Sequence, residues 1–154
     1  MKSKKLLSII LALAMMFSVL PASTVLVYAD VITETISADT TWNDGDTVGG
    51  VTISGGTVTI NGDVGITAAI TIKGDVTFTG GGTLNRMSTS GNLIKVESGS
   101  LTLGNVTIDG NDVIISDSGA VAAINMADGT VIMNDGAKIT NHKRTSGYGP
   151  AVYM

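Results

Sequence analysis

Cysteine is absent from all 154 residues. Disulfides, thiolate metal sites and a cysteine nucleophile are thereby excluded together, so the fold must be held by packing and backbone hydrogen bonds. Aromatic side chains are scarce: beyond residue 29 only Trp42, Phe78, Tyr148 and Tyr153 occur, which leaves few rings on which a sugar could stack. Histidine occurs once, as His142. Basic residues are also few, nine Lys and Arg against thirteen Asp and Glu. Nucleic-acid binding, which depends on basic patches that displace counterions, is therefore not expected.

What is present divides the chain in two. Lys2, Lys4 and Lys5 precede an apolar run from Leu6 to Leu20, which Pro21 ends, and Val27-Tyr28-Ala29 then leads to Asp30. Charge, apolar run and small residue in that order mark a secretory signal peptide over residues 1–29. The run is too short for a membrane anchor, since fifteen helical residues reach about 22 Å against a hydrocarbon core of roughly 30 Å. The expectation is a chain that is secreted or displayed on the cell surface, with no membrane segment after cleavage. Three of the nine basic residues leave with the signal and no acidic residue does, so six face thirteen and the mature charge is −7.

All 20 glycines and all but one of the threonines follow residue 29. Threonine, valine and isoleucine favour strands, and glycine marks turns. The segment from Asp30 to Thr41 alternates, with a turn over Trp42 to Asp46. An apolar–Thr–apolar triplet then recurs at Val51–Ile53, Val58–Ile60, Ile70–Ile72, Val76–Phe78, Leu101–Leu103 and Val106–Ile108. Each triplet is closely followed by Gly, Asn or Asp, which is the strand-and-turn signature. No window beyond residue 29 shows helical periodicity.

The triplets superimpose on one another. Val51–Ile53 falls on Ile70–Ile72 at an offset of 19, and Ile60 on Phe78 at 18. Residues 92–103 fall on 122–133 at an offset of 30, and Val106–Ile108 on Ala137–Ile139 at 31. A repeat of 18 to 31 residues whose length changes are confined to Gly/Asn/Ser stretches points to a solenoid. Strands two to six residues apart leave no room for a helical crossover. The expected fold is all-β: three strand positions per turn, outer triplet residues inward, central threonines outward.

The run from Ile70 to Ile139, above all Leu93 to Gly110, resembles the right-handed parallel β-helix of the pectate-lyase-like superfamily. It is especially similar to repetitive adhesin-like surface proteins of Gram-positive bacteria. That resemblance implies about four to five rungs over residues 46–154, with residues 30–45 as an N-terminal cap closed by Trp42. It also implies a fold shared by lyases, hydrolases, adhesins and inert stalks.

For catalysis the residues to consider are Asp109, Asp112, Asp117, Lys138, His142, Lys143 and Arg144, because the 31-residue offset stacks Asp109 near Thr140 and the basic cluster. The Arg-x-Pro-x-x-Arg segment of pectate lyases is absent, as are the Asn-Thr-Asp, Asp-Asp, Gly-His-Gly and Arg-Ile-Lys elements of polygalacturonases. Asp and Asn at corners are commonly turn formers that bond their own backbone. No carboxylate lies within three residues of His142. No window matches Gly-Gly-x-Gly-x-Asp, and Asp109-x-Asn111 lacks an EF-hand's third ligand. The acidic corners Asp44, Asp46, Asp63 and Asp75 accordingly read as solvated turns. Lys73-Gly74-Asp75 reads as a turn between strands and Asn105-Val106-Thr107 as strand sequence.

At the C-terminus Val152 and Met154 match Ile124 and Met126 at an offset of 28. The expectation is a chain that stops partway into a further rung, the N-terminal piece of a longer surface protein. The function expected is that of an exported, non-enzymatic β-helix segment of an adhesin-like bacterial protein, meeting glycans or other surface proteins and needing neither cofactor nor metal. The alternatives are the N-terminal part of a polysaccharide lyase or glycoside hydrolase, and a self-associating structural fibre.

Overall fold

The computed structural model describes residues 31–116, 121–144 and 151–154. Residues 1–29, expected as a signal peptide, and Asp117 and Tyr148 lie outside the described residues. Every element among the described residues is a strand, and each is short because glycine or an Asx residue ends it within a few positions.

The strands follow one another in triplets. β1 (Val31–Ile32), β2 (Thr35–Ile36) and β3 (Thr40–Asn43) come first, then β4 (Thr47–Val48), β5 (Thr52–Ile53) and β6 (Gly56–Asn61). β7 (Asp63–Ile66), β8 (Ile70–Ile72) and β9 (Val76–Thr79) follow, then β10 (Thr83–Arg86), β11 (Ile94–Val96) and β12 (Ser100–Leu103). β13 (Thr107–Asp109) and the extra strand β14 (Ile114–Ile115) lead to β15 (Ile124–Met126), β16 (Thr130–Met133), β17 (Lys138–Thr140), β18 (Lys143–Arg144) and β19 (Val152–Tyr153).

Successive strands enter three sheets in rotation. The first sheet is ordered β1-β4-β7-β10-β13-β17, the second β2-β5-β8-β11-β15-β19 and the third β3-β6-β9-β12-β16. β14 and β18 pair separately as a small fourth sheet. Every pairing is parallel. Parallel strands normally require a long crossover. Here the rest of each turn of the chain is itself the crossover, the course expected of a parallel β-helix.

Burial follows the triplets. Val51, Ile53, Val58, Ile60, Ile70, Ile72, Val76, Phe78, Leu101, Leu103, Val106 and Ile108 are all buried, and each central threonine is only partly so. Outward columns such as Thr35–Thr52–Thr71 and Thr57–Thr77–Thr102 run along the second and third sheets. The inward columns merge into one apolar core, in which each such side chain contributes about 1.5–3 kcal/mol of burial.

The offsets of 19 (Thr52 to Thr71), 30 (Ile94 to Ile124), 31 (Thr107 to Lys138) and 28 (Ile124 to Val152) are those of the pairing. The expected pairing of Ile60 with Phe78 does not occur. Phe78 pairs with Val58, and Ile60 with Trp42. The cause is the corner Lys73-Gly74-Asp75, one residue longer than Ser54-Gly55 below it, which lengthens this turn of the chain. The alternating segment over residues 31–41 is divided into β1, β2 and part of β3, with bends at Glu34 and Ala38, and Trp42 and Asn43, expected in the turn, belong to β3. Period-2 alternation persists through these bends, so it cannot mark where a strand turns into the next sheet. Residues 31–43 thus supply the terminal strand of all three sheets. Trp42 is buried there, its ring 6.0 Å from that of Phe78 and tilted by 59°.

Candidate functional site

The corner after β13 and its counterpart after β17 bring together several of the residues considered for catalysis. Asp109 ends β13 beside Thr140, as the offset implies, and Lys138 pairs with Thr107. Both oxygens of the Asp109 carboxylate accept from Asn141 Nδ2 at 3.1 Å, and its Oδ1 accepts from the Asn111 backbone N–H at 2.6 Å. Asp109 is thereby a clasp between two stacked corners. Three residues there, Asn111, Asp112 and Asn141, adopt left-handed backbone, which Asn and Asp tolerate better than other side chains. Asp112 Oδ1 lies 2.7 Å from Lys143 Nζ. Both side chains are well exposed, so this pair adds little stability.

His142 points away from that pair. Burial, then the charges of Arg86 and Arg144, holds its pKa down to about 4, opposed in part by the nearby Val121 backbone. Neither ring nitrogen reaches a partner at full hydrogen-bond geometry. The imidazole is therefore neutral at ordinary pH, and among the described residues no carboxylate hydrogen-bonds it to orient it for proton transfer.

Arg86 was not among the residues picked out from the sequence. It is the one charged side chain buried among the described residues, at 1 % exposure. It occupies an inward position paired with Ile66. Its guanidinium donates to the carbonyls of Ser88 (3.3 Å), Gly91 (3.0 Å) and Ala122 (3.5 Å). Arg86 thus ties the loop after β10 to the next turn of the chain. Its signal was available: Leu84-Asn85-Arg86 has the triplet form, with arginine where an apolar residue belongs.

Asp44 and Asp75 likewise bridge stacked turns, whereas Asp46 bonds within its own turn. Asp44 Oδ1 accepts from the Asp63 backbone N–H (2.8 Å), and Asp46 Oδ2 from that of Asn43 (2.7 Å). Asp75 Oδ1 accepts from the Ser100 hydroxyl (2.8 Å). Just after β11, half-buried Glu97 is held below the usual carboxylate range, chiefly by the hydrogen bond from Lys95, with Lys73 adding its charge. Among the described residues no three His, Asp or Glu side chains gather as a metal cluster.

The outer face of the first sheet carries a shallow groove of about 430 Å³. Gly65 forms its floor, where the pairing columns Thr47–Gly65–Asn85 and Asp63–Thr83 pass. Asp46 and Asp63 stand on one side, and Asn85, Met87 and Asn111 on the other. Asn111 is steadied by donating from Nδ2 to the Arg86 carbonyl at 3.3 Å. The Met87 thioether fills the space that a Cβ on Gly65 would take. The groove thus offers carboxylate acceptors, two amides with both donor and acceptor atoms, one hydroxyl and one soft apolar surface. No Lys or Arg among the described residues lines it.

The chain matches no protein-family model, no curated protein and no solved structure.

Proposed function

We propose that this chain is an exported, non-enzymatic parallel β-helix of a bacterial surface protein, and that the groove over Gly65 binds a neutral glycan. In this reading the helix is right-handed, of the pectate-lyase-like type, with residues 1–29 removed on export. The groove is the observation that carries the reading. Its volume of about 430 Å³ falls in the range of small-ligand sites, roughly 300–1,000 Å³. Amides and carboxylates meet sugar hydroxyls as acceptors and donors, and Met87 offers an apolar patch where aromatic rings are lacking.

Charge selects the class of glycan. Asp46 and Asp63 flank the groove with no cation beside them, so a uronate polymer would be repelled. This favours a binding segment over a lyase or hydrolase of acidic polysaccharides. The engagement of Asp109 by Asn141 and Asn111 weighs the same way.

Titration calorimetry with neutral and uronic oligosaccharides tests the proposal, with Gly65→Thr as the control. Gly65 does not have positive φ, and a Cβ there would press on the movable Met87 side chain and meet the Asp46 carbonyl at ordinary contact distance, so the variant is expected to fold, as its circular dichroism spectrum would check. A neutral oligosaccharide is expected to bind the parent chain, and Gly65→Thr to weaken it at least tenfold. Preference for uronates, or uronate release from pectin-like polymers, would overturn the proposal.

A further inference from the structure

The outer face of the third sheet differs from those of the other two. No charged residue occurs in β3, β6, β9 or β12. The first sheet, in contrast, carries Asp63, Asp109 and Lys138, and the second carries Lys95. The third sheet carries threonine instead. Thr41, Thr59 and Thr79 form one outward column, and Thr57, Thr77 and Thr102 form a second, displaced by one strand. The two columns stand side by side at Thr57-Val58-Thr59 and Thr77-Phe78-Thr79, where Val58 and Phe78 point the other way into the core. Asp39 and Asp75 border the array, and each is engaged there. Asp39 Oδ1 accepts from the Thr57 backbone N–H at 2.7 Å, and Asp75 Oδ1 from the Ser100 hydroxyl at 2.8 Å.

Register sets the dimensions of this array. Neighbouring strands lie about 4.8 Å apart, and residues two apart on one strand about 6.6 Å apart. The spacing repeats without a break, because β3, β6, β9 and β12 pair in a single register. Thr41 is exposed and the other five are half-buried. Threonine is stiff at χ1, so its methyl and hydroxyl have little freedom to lose. Among the described residues no hydrogen bond engages these six hydroxyls, unlike that of Thr67, which donates to the Val48 carbonyl at 3.2 Å.

Such a face orders water. Methyl groups restrict the orientation of the water over them, and hydroxyls, which donate and accept as water does, hold it by hydrogen bonds. A charged side chain would impose a hydration shell of its own, and none interrupts the array. Oxygen atoms on the prism face of hexagonal ice repeat over two perpendicular lengths close to those of the array. The shorter falls slightly below the strand spacing, and the longer slightly above the spacing along a strand. Water held over the threonines therefore fits the surface of an ice crystal.

We infer that the outer face of the third sheet binds ice. The export reading bears on this only because ice forms in the medium around a cell, where an exported chain meets it. The groove over Gly65 lies on the first sheet and takes no part, so either proposal can fail without the other.

The gap between the melting and freezing points of a single ice crystal, held in a solution of the exported, processed chain, tests the inference. A gap that widens with protein concentration, with faceted crystal growth, is the expected result. Thr77→Lys, inside the array, is expected to narrow the gap at least fivefold. Thr41→Lys, at an exposed position, is expected to narrow it about twofold and decides the matter if Thr77→Lys fails to fold by circular dichroism. Lys95→Ala, on the second sheet, is expected to leave it unchanged. No gap at any concentration, a gap indifferent to the threonine variants, or one lost equally in Lys95→Ala would overturn the inference. So would a dimer in sedimentation velocity that the threonine variants dissociate, because a second copy would then cover the face.

Discussion

Arg86 and His142 show how a few polar side chains depart from the apolar interior. Arg86 sits in the Ile66 column because carbonyls from the loop after β10, and from Ala122 above, converge on it. Hydrogen bonds to a charged group contribute about 1.5–3 kcal/mol each, enough to offset part of its desolvation. His142 lies close by and is held neutral, its pKa lowered to about 4 by burial and by Arg86 and Arg144. In the unfolded chain the imidazole titrates near 6.5. Between those values the unfolded state binds the proton more readily, so stability is full above pH 6.5 and falls as pH is lowered towards 4. The thermal midpoint followed by circular dichroism is expected to drop between pH 7 and pH 5, ahead of most carboxylate titration. His142→Gln should remove most of that drop. An unchanged slope in the variant would show that the imidazole is not what the acid acts on.

Elements were legible in the sequence where the triplet pattern was complete. Apolar–Thr–apolar triplets placed β5, β8, β9, β12 and β13 and the inward or outward sense of their side chains. The bends between β1, β2 and β3 were not legible, because alternation passes through them unbroken. Nor was the pairing of Phe78 with Val58, which depends on one added residue in a glycine corner. The groove was hidden for a different reason: Gly65, Asn85 and Asn111 are far apart in sequence and meet only through register. Corners are where the stack tolerates least change. Gly74, Gly99 and Gly129 lie one above another, and a Cβ on Gly99 would strike the Gly74 backbone. Gly99 also has φ of +75°, and forcing a side chain into such backbone costs about 1–3 kcal/mol before any clash is counted. Gly99→Ala is expected to lower unfolding free energy in urea by at least about 2 kcal/mol. A loss under about 0.5 kcal/mol would mean that the corner is looser than the stacked geometry requires.

At the scale of the whole molecule, function rests on register. Stacking places Asp46, Asp63, Asn85 and Asn111 around Gly65 and sets Asp109 against Asn141. The absence of cysteine makes that register directly measurable. Thr77 and Thr102 are paired across β9 and β12, both facing outward, although 25 residues apart in sequence. Neighbouring strands lie about 4.8 Å apart, within the Cα separation of roughly 4.4–6.8 Å that a disulfide accepts. The decisive measurement is oxidation of the Thr77→Cys/Thr102→Cys variant, read by thiol titration and non-reducing electrophoresis. A rapid intramolecular disulfide, with the thermal midpoint kept or raised, is the predicted result. Free thiols, or bridges formed only between molecules, would contradict the stacked register on which the groove and the Asp109–Asn141 clasp depend.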